Sequence, residues 1–277
     1  MGGIAQAYAA GTPALDAFFG RRPADALTPP SFASDWGEGI PDALHRYQHA
    51  LGHPKPPAQG YAVVTGQQPA IFCGPLYTVY KAITALQLAE RFHRETGESC
   101  TPIFWNAAED HDFDEARRAT LLTKTGQPLR LEYTPAAHHP GMPMDRVPVE
   151  AQLYAFVNEA AARCAGSEHR DAVHAALRET LDEAESLADW SVRCLARLFA
   201  DTPLQFFTPT LPAARRVAAT VLAREIEAPL ESTRRANAAG ERLVTLGYSS
   251  QVQKAPDECS FFRRVDGRRC NVCFGGS

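Results

Sequence analysis

Residues 61–106 read YAVVTGQQPAIFCGPLYTVYKAITALQLAERFHRETGESCTPIFWN, and this segment sets the expected architecture. Residues 61–65 form a short apolar run with β-branched side chains between two glycines, which predicts a buried strand. Over residues 76–93 apolar side chains recur at helical spacing, and Gly97 ends the pattern. Residues 101–105 predict a second strand. Strand, helix and strand in this order predict a βαβ unit with two parallel strands.

A run of acidic residues follows the second predicted strand. Five acids and one histidine fall within seven positions: Glu109, Asp110, His111, Asp112, Asp114 and Glu115. Ligands of α/β proteins bind outside the carboxyl ends of strands, so this position favours a working site over a solvated charge cluster. If the run begins a helix, Asp110 and Asp114 share a face, and the helix dipole alone explains some of the acids. Close like charges would raise carboxylate pKa values, which suits a general base, and His111 would be an oriented base or a metal ligand.

Polar residues also follow the first predicted strand, at Thr65, Gly66, Gln67 and Gln68. Glycine lets the backbone turn sharply and approach a ligand closely. Two consecutive glutamines offer amide donors and acceptors to a polar substrate. The motif is neither a P-loop nor GxGxxG, so an ordinary polar turn is the alternative interpretation.

The predicted helix begins after Gly74 and Pro75. Proline is ordinary at a helix start, and the free N–H groups there favour a phosphate or a carboxylate. Thr78 and Lys81 are three residues apart and would share a face beside this end of the helix. The alternative interpretation is that Lys81 is a surface lysine.

The composition excludes several classes of protein. The chain has 277 residues, 45% of them hydrophobic, and a formal net charge of −4 with both signs interspersed, so no broad basic surface for nucleic acid is expected. No stretch approaches the roughly 20 apolar residues of a membrane helix. The seven cysteines are scattered, which favours a cytoplasmic protein with reduced thiols over a disulfide framework. Cys270 and Cys273 have CxxC spacing but lack the second pair that a zinc site needs.

The segmentation of the chain predicts four parts. Residues 1–60 are an N-terminal helical and irregular segment, 61–135 the βαβ core, 136–203 a helical insertion, and 204–277 a continuation of the core with helices and a C-terminal β-hairpin. Further predicted elements are a helix at 40–51, strands at 128–133, 204–208, 251–253 and 260–265, helices within 150–200, and helices over 212–246 that break at Pro229. Asp266-Gly267 predicts a hairpin turn. Because the chain ends soon after that turn, we expect the fold to be incomplete.

Two motifs together resemble one enzyme family. They are VVTGQQPAIFCGPLYTVYKA at 63–82 and PIFWNAAEDHDFDE at 102–115, with a weaker likeness around 204–253. In order and spacing they resemble the cysteine-adding enzymes of bacillithiol biosynthesis, the BshC family. The resemblance implies an α/β fold with a Rossmann-like parallel sheet core, helical insertions and a long C-terminal helical hairpin that forms a homodimer. Family chains are longer, so we expect this chain to be truncated before the later core strands and to lack the dimerising hairpin.

The activity implied by the resemblance is that of a ligase, which joins the carboxyl group of cysteine to the amine of glucosaminyl-malate. Carried over by motif, the catalytic rim comprises Glu109, Asp110, His111, Asp112 and Asp114. The substrate-binding residues are Thr65, Gly66, Gln67, Gln68, Gly74, Pro75, Thr78, Lys81 and Trp105. The chain departs from the family pattern at Pro69-Ala70-Ile71, at Cys73 and at Asn106, none of which belongs to these two sets.

The implied partners are the small molecules cysteine and glucosaminyl-malate, with neither nucleic acid nor membrane. ATP is inferred as the activating cofactor from the type of reaction, with magnesium only as its companion and no metal site on the protein. Two alternatives stay open. One is a metal-dependent hydrolase that holds a divalent ion with Asp110, His111, Asp112 and Asp114, and the other is an inactive truncated homologue.

Overall fold

The computed structural model describes residues 3–22, 25, 27–30 and 35–275, which contain both helices and strands. The helices are α1 (Ile4–Ala9), α2 (Ile40–Ala50), α3 (Leu76–Thr96), α4 (Phe113–Ala116), α5 (Ala151–Arg163), α6 (Arg170–Asp182), α7 (Leu187–Leu198), α8 (Pro212–Glu227) and α9 (Glu231–Thr245). The strands are β1 (Tyr61–Gln67), β2 (Cys100–Asn106), β3 (Arg118–Leu122), β4 (Pro128–Glu132), β5 (Gln205–Phe207), β6 (Glu258–Val265) and β7 (Arg268–Cys273). Short 3-10 helices occupy Pro13–Phe18, Ile71–Cys73 and Met144–Arg146.

A parallel three-stranded sheet, in the order β1-β2-β5, forms the centre of the molecule. Helix α3 crosses from β1 to β2, so the predicted βαβ unit is confirmed. The register places Gln67 opposite Asn106 and Trp105 opposite Phe207, so the three strands end at one level. The polar residues that follow β1 and β2 are therefore brought to the same edge of the sheet.

Helices cover both faces of this sheet because successive side chains of a strand point to opposite sides. Phe104 and Phe206 pack with residues of α3 and α7 on one face. Ile103 and Phe207 pack with residues of α2 and α8 on the other face. The result is an α/β fold with a Rossmann-like parallel core.

Helix α3 holds the βαβ unit together through small residues. Its buried residues Ala82, Ala85, Ala89 and Phe92 recur at helical spacing, and the alanines let the helix lie close to the sheet. Gly97 follows the helix in the left-handed conformation, with φ of 75°, and its N–H bonds to the carbonyl of His93. The predicted helix over 76–93 is confirmed and extends to residue 96.

A second hydrophobic core lies beside the sheet. It is built around the buried Trp190, Tyr133, Met144, Leu153 and Leu187, which come from helices α5 and α7 and the neighbouring loops. The prediction of helices within 150–200 is confirmed by α5, α6 and α7. The loop that joins β1 to α3 also packs against this core through Ile71 and Phe72.

The strand predicted at 128–133 exists as β4 but lies outside the parallel sheet. It pairs antiparallel with β3, an element that was not predicted, in a separate two-stranded sheet. The two strands are joined by residues 123–127, and such a short connection permits only antiparallel pairing. Gly126 adopts a φ of 76° in this turn, which suits glycine.

The strand predicted at 251–253 is wrong, because these residues form no strand between α9 and β6. The Asn237 side chain binds both backbone groups of the next residue, Lys254: its Nδ2 donates to the carbonyl at 2.9 Å, and its Oδ1 accepts from the N–H at 3.1 Å. These bonds fasten the segment between α9 and β6 at Lys254, just after the predicted strand.

The remaining predicted elements are found. The helix at 40–51 is α2, the strand at 204–208 is β5, and the helices over 212–246 are α8 and α9, with the break at Pro229. The hairpin of β6 and β7 turns at Asp266 and Gly267, whose φ values of 48° and 76° are both positive, as a type I′ turn requires. None of the described helices combines the length and apolar character needed to cross a membrane. The boundaries of the four parts stay a prediction.

Candidate functional site

The ends of β1 and β2 are joined by a hydrogen bond between their polar loops. Gln68 Nε2 donates to Asp110 Oδ2 at 2.8 Å. The backbone continues this junction, because the N–H of Ala107 donates to the carbonyl of Gln67 at 3.1 Å. The structure therefore brings the glutamine motif and the acidic run together at the carboxyl edge of the parallel sheet, where α/β folds bind ligands.

Gly66 is required by the closeness of β1 and β2 at this edge. A Cβ atom on Gly66 would lie 2.5 Å from the carbonyl oxygen of Trp105 and 2.8 Å from its Cβ. Both distances are shorter than van der Waals contact, and the backbone of a central strand has no room to move. The role of the glycine is thus to let the two strand ends meet.

A cavity of about 610 Å³ opens beside this junction. Its polar and backbone lining includes Gln67, Gln68, Gly74, Pro75, Glu115, Arg118 and Thr120. Ile71, Phe72 and Leu121 supply an apolar wall. Arg118 lies on β3 and was not among the predicted site residues, since no strand was predicted there. It is half-exposed and its Nε lies 3.4 Å from Oε2 of Glu132.

The loop that leads into α3 is held in an unusual backbone conformation. Phe72, Cys73 and Gly74 have φ values of 52°, 67° and 81°, which all fall in the left-handed region. Such values are costly for residues with side chains and persist only where the surroundings impose them. This conformation directs the chain into Pro75, the N-cap of α3, which has no side-chain cap.

Thr78 lies in the first turn of α3 and is fully buried. Its Oγ1 has no hydrogen-bond partner within the described part of the chain. A Cβ on Gly74 would lie 3.2 Å from this oxygen, so the glycine avoids a tight contact with the buried hydroxyl. An unpaired buried hydroxyl costs about 1–3 kcal/mol, and a helix N-terminus attracts anions, so the pair of features suits an anionic group.

Lys81 lies behind the glutamines and does not line the cavity. Its Nζ donates to the carbonyl of Gly66 at 3.2 Å and to Oε1 of Gln67 at 2.9 Å. The ammonium also lies 4.9 Å from the centre of the Tyr77 ring. Lys81 and Thr65 instead line a separate groove of about 230 Å³ along β1 and α3.

Asp110 is held in its ionised form. Burial acts to raise the pKa of this carboxyl. Hydrogen bonds from the Gln68 amide and from the N–H groups of Asp112 and His111, together with the charge of Arg269, outweigh burial and hold the pKa below its ordinary value. The sequence analysis expected the opposite, namely that the close negative charges of the acidic run would raise carboxylate pKa values. That expectation fails because the neighbouring acids are paired with arginines or turned to solvent.

Glu109 is surrounded by arginines that sequence reasoning missed. Arg215 Nη2 donates to Oε1 of Glu109 at 2.7 Å, and Arg264 Nη2 lies 3.9 Å from the same oxygen. Arg269 donates to the backbone carbonyl of Glu109 at 3.3 Å. Arg264 also donates to both oxygens of Asp145, at 3.1 and 3.2 Å. These contacts tie α8 and the hairpin of β6 and β7 to the acidic run.

The rest of the acidic run is arranged more openly. His111 Nδ1 lies 4.0 Å from Oδ1 of Asp110 and is buried with no hydrogen-bond partner among the described residues. Asp112 is exposed, and Asp114 pairs with Nε of Arg117 at 3.0 Å. Helix α4 begins only at Phe113, so Asp110 and Asp114 do not share a helix face as the sequence suggested.

The geometry does not favour a metal-dependent hydrolase. Within residues 3–22, 25, 27–30 and 35–275, no group of three or more His, Cys, Asp or Glu side chains is arranged to hold a metal ion. Cys270 and Cys273 lie on β7, three positions apart, and therefore point to opposite faces of the strand.

Trp105, one of the predicted substrate-binding residues, lies beside the junction of the two strand ends. Its side chain is 41% exposed, and its ring centre lies 4.4 Å from that of Phe207.

A second cavity, of about 350 Å³ and mostly apolar, lies between β3, α5 and α6. Phe72 and Leu121 line both this cavity and the one at the strand ends. The ring of Phe72 stacks on Phe156, with centres 5.6 Å apart, and meets Trp190 edge-on at 6.0 Å. Two side chains therefore separate the two cavities.

Comparison with known proteins identifies relatives over most of the chain. The family model described as "Bacillithiol biosynthesis BshC, N-terminal Rossmann-like domain" matches residues 56–276. Curated proteins named "Putative cysteine ligase BshC" are similar, with 32% identity in Salinibacter ruber and 31% in Symbiobacterium thermophilum, each over 90% of this chain. A third, from Prosthecochloris aestuarii, is 34% identical over 69% of the chain. The chain spans 45% and 48% of the length of the first two relatives, or about half.

Proposed function

Because the chain belongs to the BshC family, we propose that it takes part in bacillithiol synthesis as the Rossmann-like portion of a cysteine ligase. The proposed reaction joins the carboxyl group of cysteine to the amine of glucosaminyl-malate. Activation of that carboxyl group by ATP is part of the proposal, since amide formation needs a leaving group on the carboxyl carbon. Magnesium would enter only with the nucleotide.

The observation that carries this proposal is the junction of Gln68 and Asp110 beside the 610 Å³ cavity. An amine is a hydrogen-bond donor, and both side chains offer oxygen acceptors. An ionised carboxylate and an amide oxygen at the edge of the sheet suit the binding of an amino-sugar amine. The cavity is also of the size that small-molecule sites usually have.

The malate part of the acceptor has two carboxylates, and two features of the cavity suit them. The N-terminus of α3, at Gly74 and Pro75, suits one carboxylate, and the buried hydroxyl of Thr78 lies directly behind Gly74. Arg118, on the facing strand β3, suits the other as a charged donor. The sequence analysis placed Lys81 beside the anion. Its ammonium group instead donates hydrogen bonds to Gly66 and Gln67, so we assign binding of the second carboxylate to Arg118.

We assign the proton transfer to His111. The attacking amine must lose a proton as the new C–N bond forms and the bond from the carboxyl carbon to its activating group breaks. Asp110 is a poor base because its pKa is lowered, and it serves better as a fixed acceptor that orients the amine. The Nδ1 atom of His111 lies 4.0 Å from Oδ1 of Asp110, and 41% of the His111 side chain is exposed, so the imidazole can take up the proton.

The test combines binding with turnover. The purified chain is titrated with glucosaminyl-malate by calorimetry, and it is then incubated with cysteine and glucosaminyl-malate, with and without ATP, while the product mass is followed. We expect saturable binding, and an ATP-dependent product whose mass is that of the acceptor plus a cysteinyl residue. Absence of both binding and product would overturn the proposal. Binding without product would overturn the catalytic part and leave the acceptor site.

A further inference from the structure

The side chain of Gln67 is oriented by Lys81. The lysine ammonium carries only donors, so the Gln67 atom that faces it at 2.9 Å is the carbonyl oxygen Oε1. The opposite orientation would place the amide N–H groups against the ammonium and lose this bond. Gln67 also lines the cavity at the strand ends, and its Nε2 is the amide atom that Lys81 leaves free. Gln67 therefore presents a hydrogen-bond donor.

The side-chain amide of the neighbouring residue, Gln68, is oriented the other way, with its nitrogen bonded and its oxygen free. Asp110 is an acceptor when ionised, so the atom of Gln68 that faces it at 2.8 Å is the amide nitrogen Nε2. The remaining atom, Oε1, is an acceptor. Gln68 lines the same cavity as Gln67, because β1 ends between them and the alternation of a strand does not continue. Two adjacent glutamines thus offer one donor and one acceptor.

We propose that this pair selects an amine whose neighbouring carbon carries a hydroxyl group, that is, a vicinal amino alcohol as in a 2-amino sugar. Gln68 Oε1 accepts a hydrogen bond from the amine, and Gln67 Nε2 donates to the hydroxyl oxygen. Lys81 is then a positioning residue, which acts on the ligand through Gln67 from outside the cavity. The inference rests on the proposed function, because it names how that acceptor is recognised.

Ligand selectivity tests this role. Calorimetry compares glucosaminyl-malate with its analogue that lacks the hydroxyl on the carbon beside the amine, each titrated into the whole chain. We expect the wild-type chain to prefer the parent ligand by about tenfold, the value of one hydrogen bond near the top of the usual range. Lys81→Met and Gln67→Met should each remove most of this preference, and the double variant should lose no more than either one. Lys81→Arg, which keeps a donor, should restore part of it.

Lys124→Met is the matched control, because Lys124 is exposed in the turn between β3 and β4 and its loss removes the same charge. It should keep the wild-type preference. Additive losses in the double variant, or equal binding of the two ligands by the wild-type chain, would overturn the inference and leave the proposed function standing. Failure of the wild-type chain to bind the parent ligand would overturn the acceptor site of the proposed function and the inference with it.

The orientation of the Gln67 and Gln68 amides can be measured independently from their side-chain amide signals in ¹H–¹⁵N spectra. Lys81→Met should shift the signals of Gln67 and leave those of Gln68, whereas Asp110→Asn should do the reverse. Saturation with the parent ligand should shift both pairs of signals. The deoxy analogue should shift those of Gln68 alone. A Gln67 signal that does not respond to Lys81→Met would show that Lys81 does not orient the amide, whatever the ligand does.

Discussion

Gln68 and Asp110 are 42 positions apart in the chain, yet the hydrogen bond of 2.8 Å between them joins the end of β1 to the loop after β2. The bond is possible because the parallel register brings Gln67 opposite Asn106. The same carboxylate accepts the N–H of Asp112 at 3.0 Å through its other oxygen. Asp110 is therefore a structural link as well as a part of the candidate site, and its ionisation is coupled to folding.

Asp110→Asn should make stability less sensitive to acid. The pKa of Asp110 is lowered from 3.8 in the folded state, so its ionised form stabilises the protein above that value and the stabilisation is lost as pH falls through the lowered pKa. Urea unfolding at neutral and acidic pH should show a steeper fall in the free energy of unfolding for the wild-type chain than for the variant. Asp112→Asn, which removes an exposed neighbouring carboxylate, is the control. Parallel curves for wild type and Asp110→Asn would contradict this coupling.

Gly66→Ala should destabilise the fold by about 2 kcal/mol or more, because the added methyl group meets the backbone of Trp105. The matched control is Gly166→Ala, since a Cβ there has no atom within 4 Å and the backbone is not left-handed. That change should alter the free energy of unfolding by less than about 0.5 kcal/mol. The midpoints of urea unfolding measure both effects. Equal midpoints for the two variants would show that the strand ends can separate at no cost.

Thr78→Val should stabilise the free protein by about 1 kcal/mol, because it replaces a buried hydroxyl that makes no bond among the described residues. The same change should weaken binding of glucosaminyl-malate if a carboxylate uses that hydroxyl. Thermal unfolding without ligand and calorimetry with it separate the two effects.

Thr180→Val supplies the opposite case for this comparison. Thr180 is buried in α6, and its Oγ1 donates to the carbonyls of Ala176 and Leu177 at 3.0 and 3.1 Å. Its removal should lower stability and leave ligand binding unchanged. A loss of stability in Thr78→Val equal to that in Thr180→Val would mean that the Thr78 hydroxyl is satisfied in solution.

Arg118→Gln should weaken binding of glucosaminyl-malate by about fivefold, since it removes a charged donor at a partly exposed position of the cavity. Arg130→Gln is a close control, because Arg130 is exposed on the partner strand β4 in the same small sheet. It should leave the affinity unchanged. Calorimetry at two salt concentrations checks the assignment, as the difference between the variants should shrink at high salt. Equal affinities of wild type and Arg118→Gln would remove the arginine from the site.

His111→Ala should reduce turnover by on the order of 100-fold or more while the fold stays intact, as expected for the loss of a general base. His169→Ala removes a histidine whose side chain is 77% exposed beside α6, and it should keep full turnover. Product mass measures the rates and circular dichroism reports on the fold. Wild-type turnover in His111→Ala would leave proton removal to another group.

The sequence predicted the parts of the fold that have local signals. The βαβ unit was predictable from a β-branched run, a helical period and Gly97, which ends the helix. The hairpin of β6 and β7 was predictable from Asp266-Gly267, where both residues adopt positive φ. Strand β3 was not, because its five residues, shortly after the acidic run, were not recognised as a strand signal. The strand predicted at 251–253 was wrong, because this run of three residues has only one β-branched side chain and pairs with no neighbouring strand.

The candidate site was predictable in its location and less so in its contacts. Two polar motifs after parallel strands had to meet, and the Gln68–Asp110 bond shows that they do. The arginines around Glu109 could not be predicted, since Arg215 lies 106 positions away in the chain and nothing near it marks a partner. The contact of Lys81 with Gln67 likewise depends on the position of one ammonium group, which no spacing rule determines.

The wall between the two cavities has an evolutionary consequence. Because Phe72 lines both spaces, a smaller residue at this position would remove one of the two side chains between them and enlarge the site without any change at the strand ends. Loss of its packing on Phe156 and Trp190 would cost stability, by up to about 3 kcal/mol for Phe72→Ala at this partly buried position. A form of the chain that carries stabilising substitutions elsewhere would tolerate that loss. One substitution would thus enlarge the space beside the strand ends, and the stability of the rest of the fold decides whether the chain can accept it.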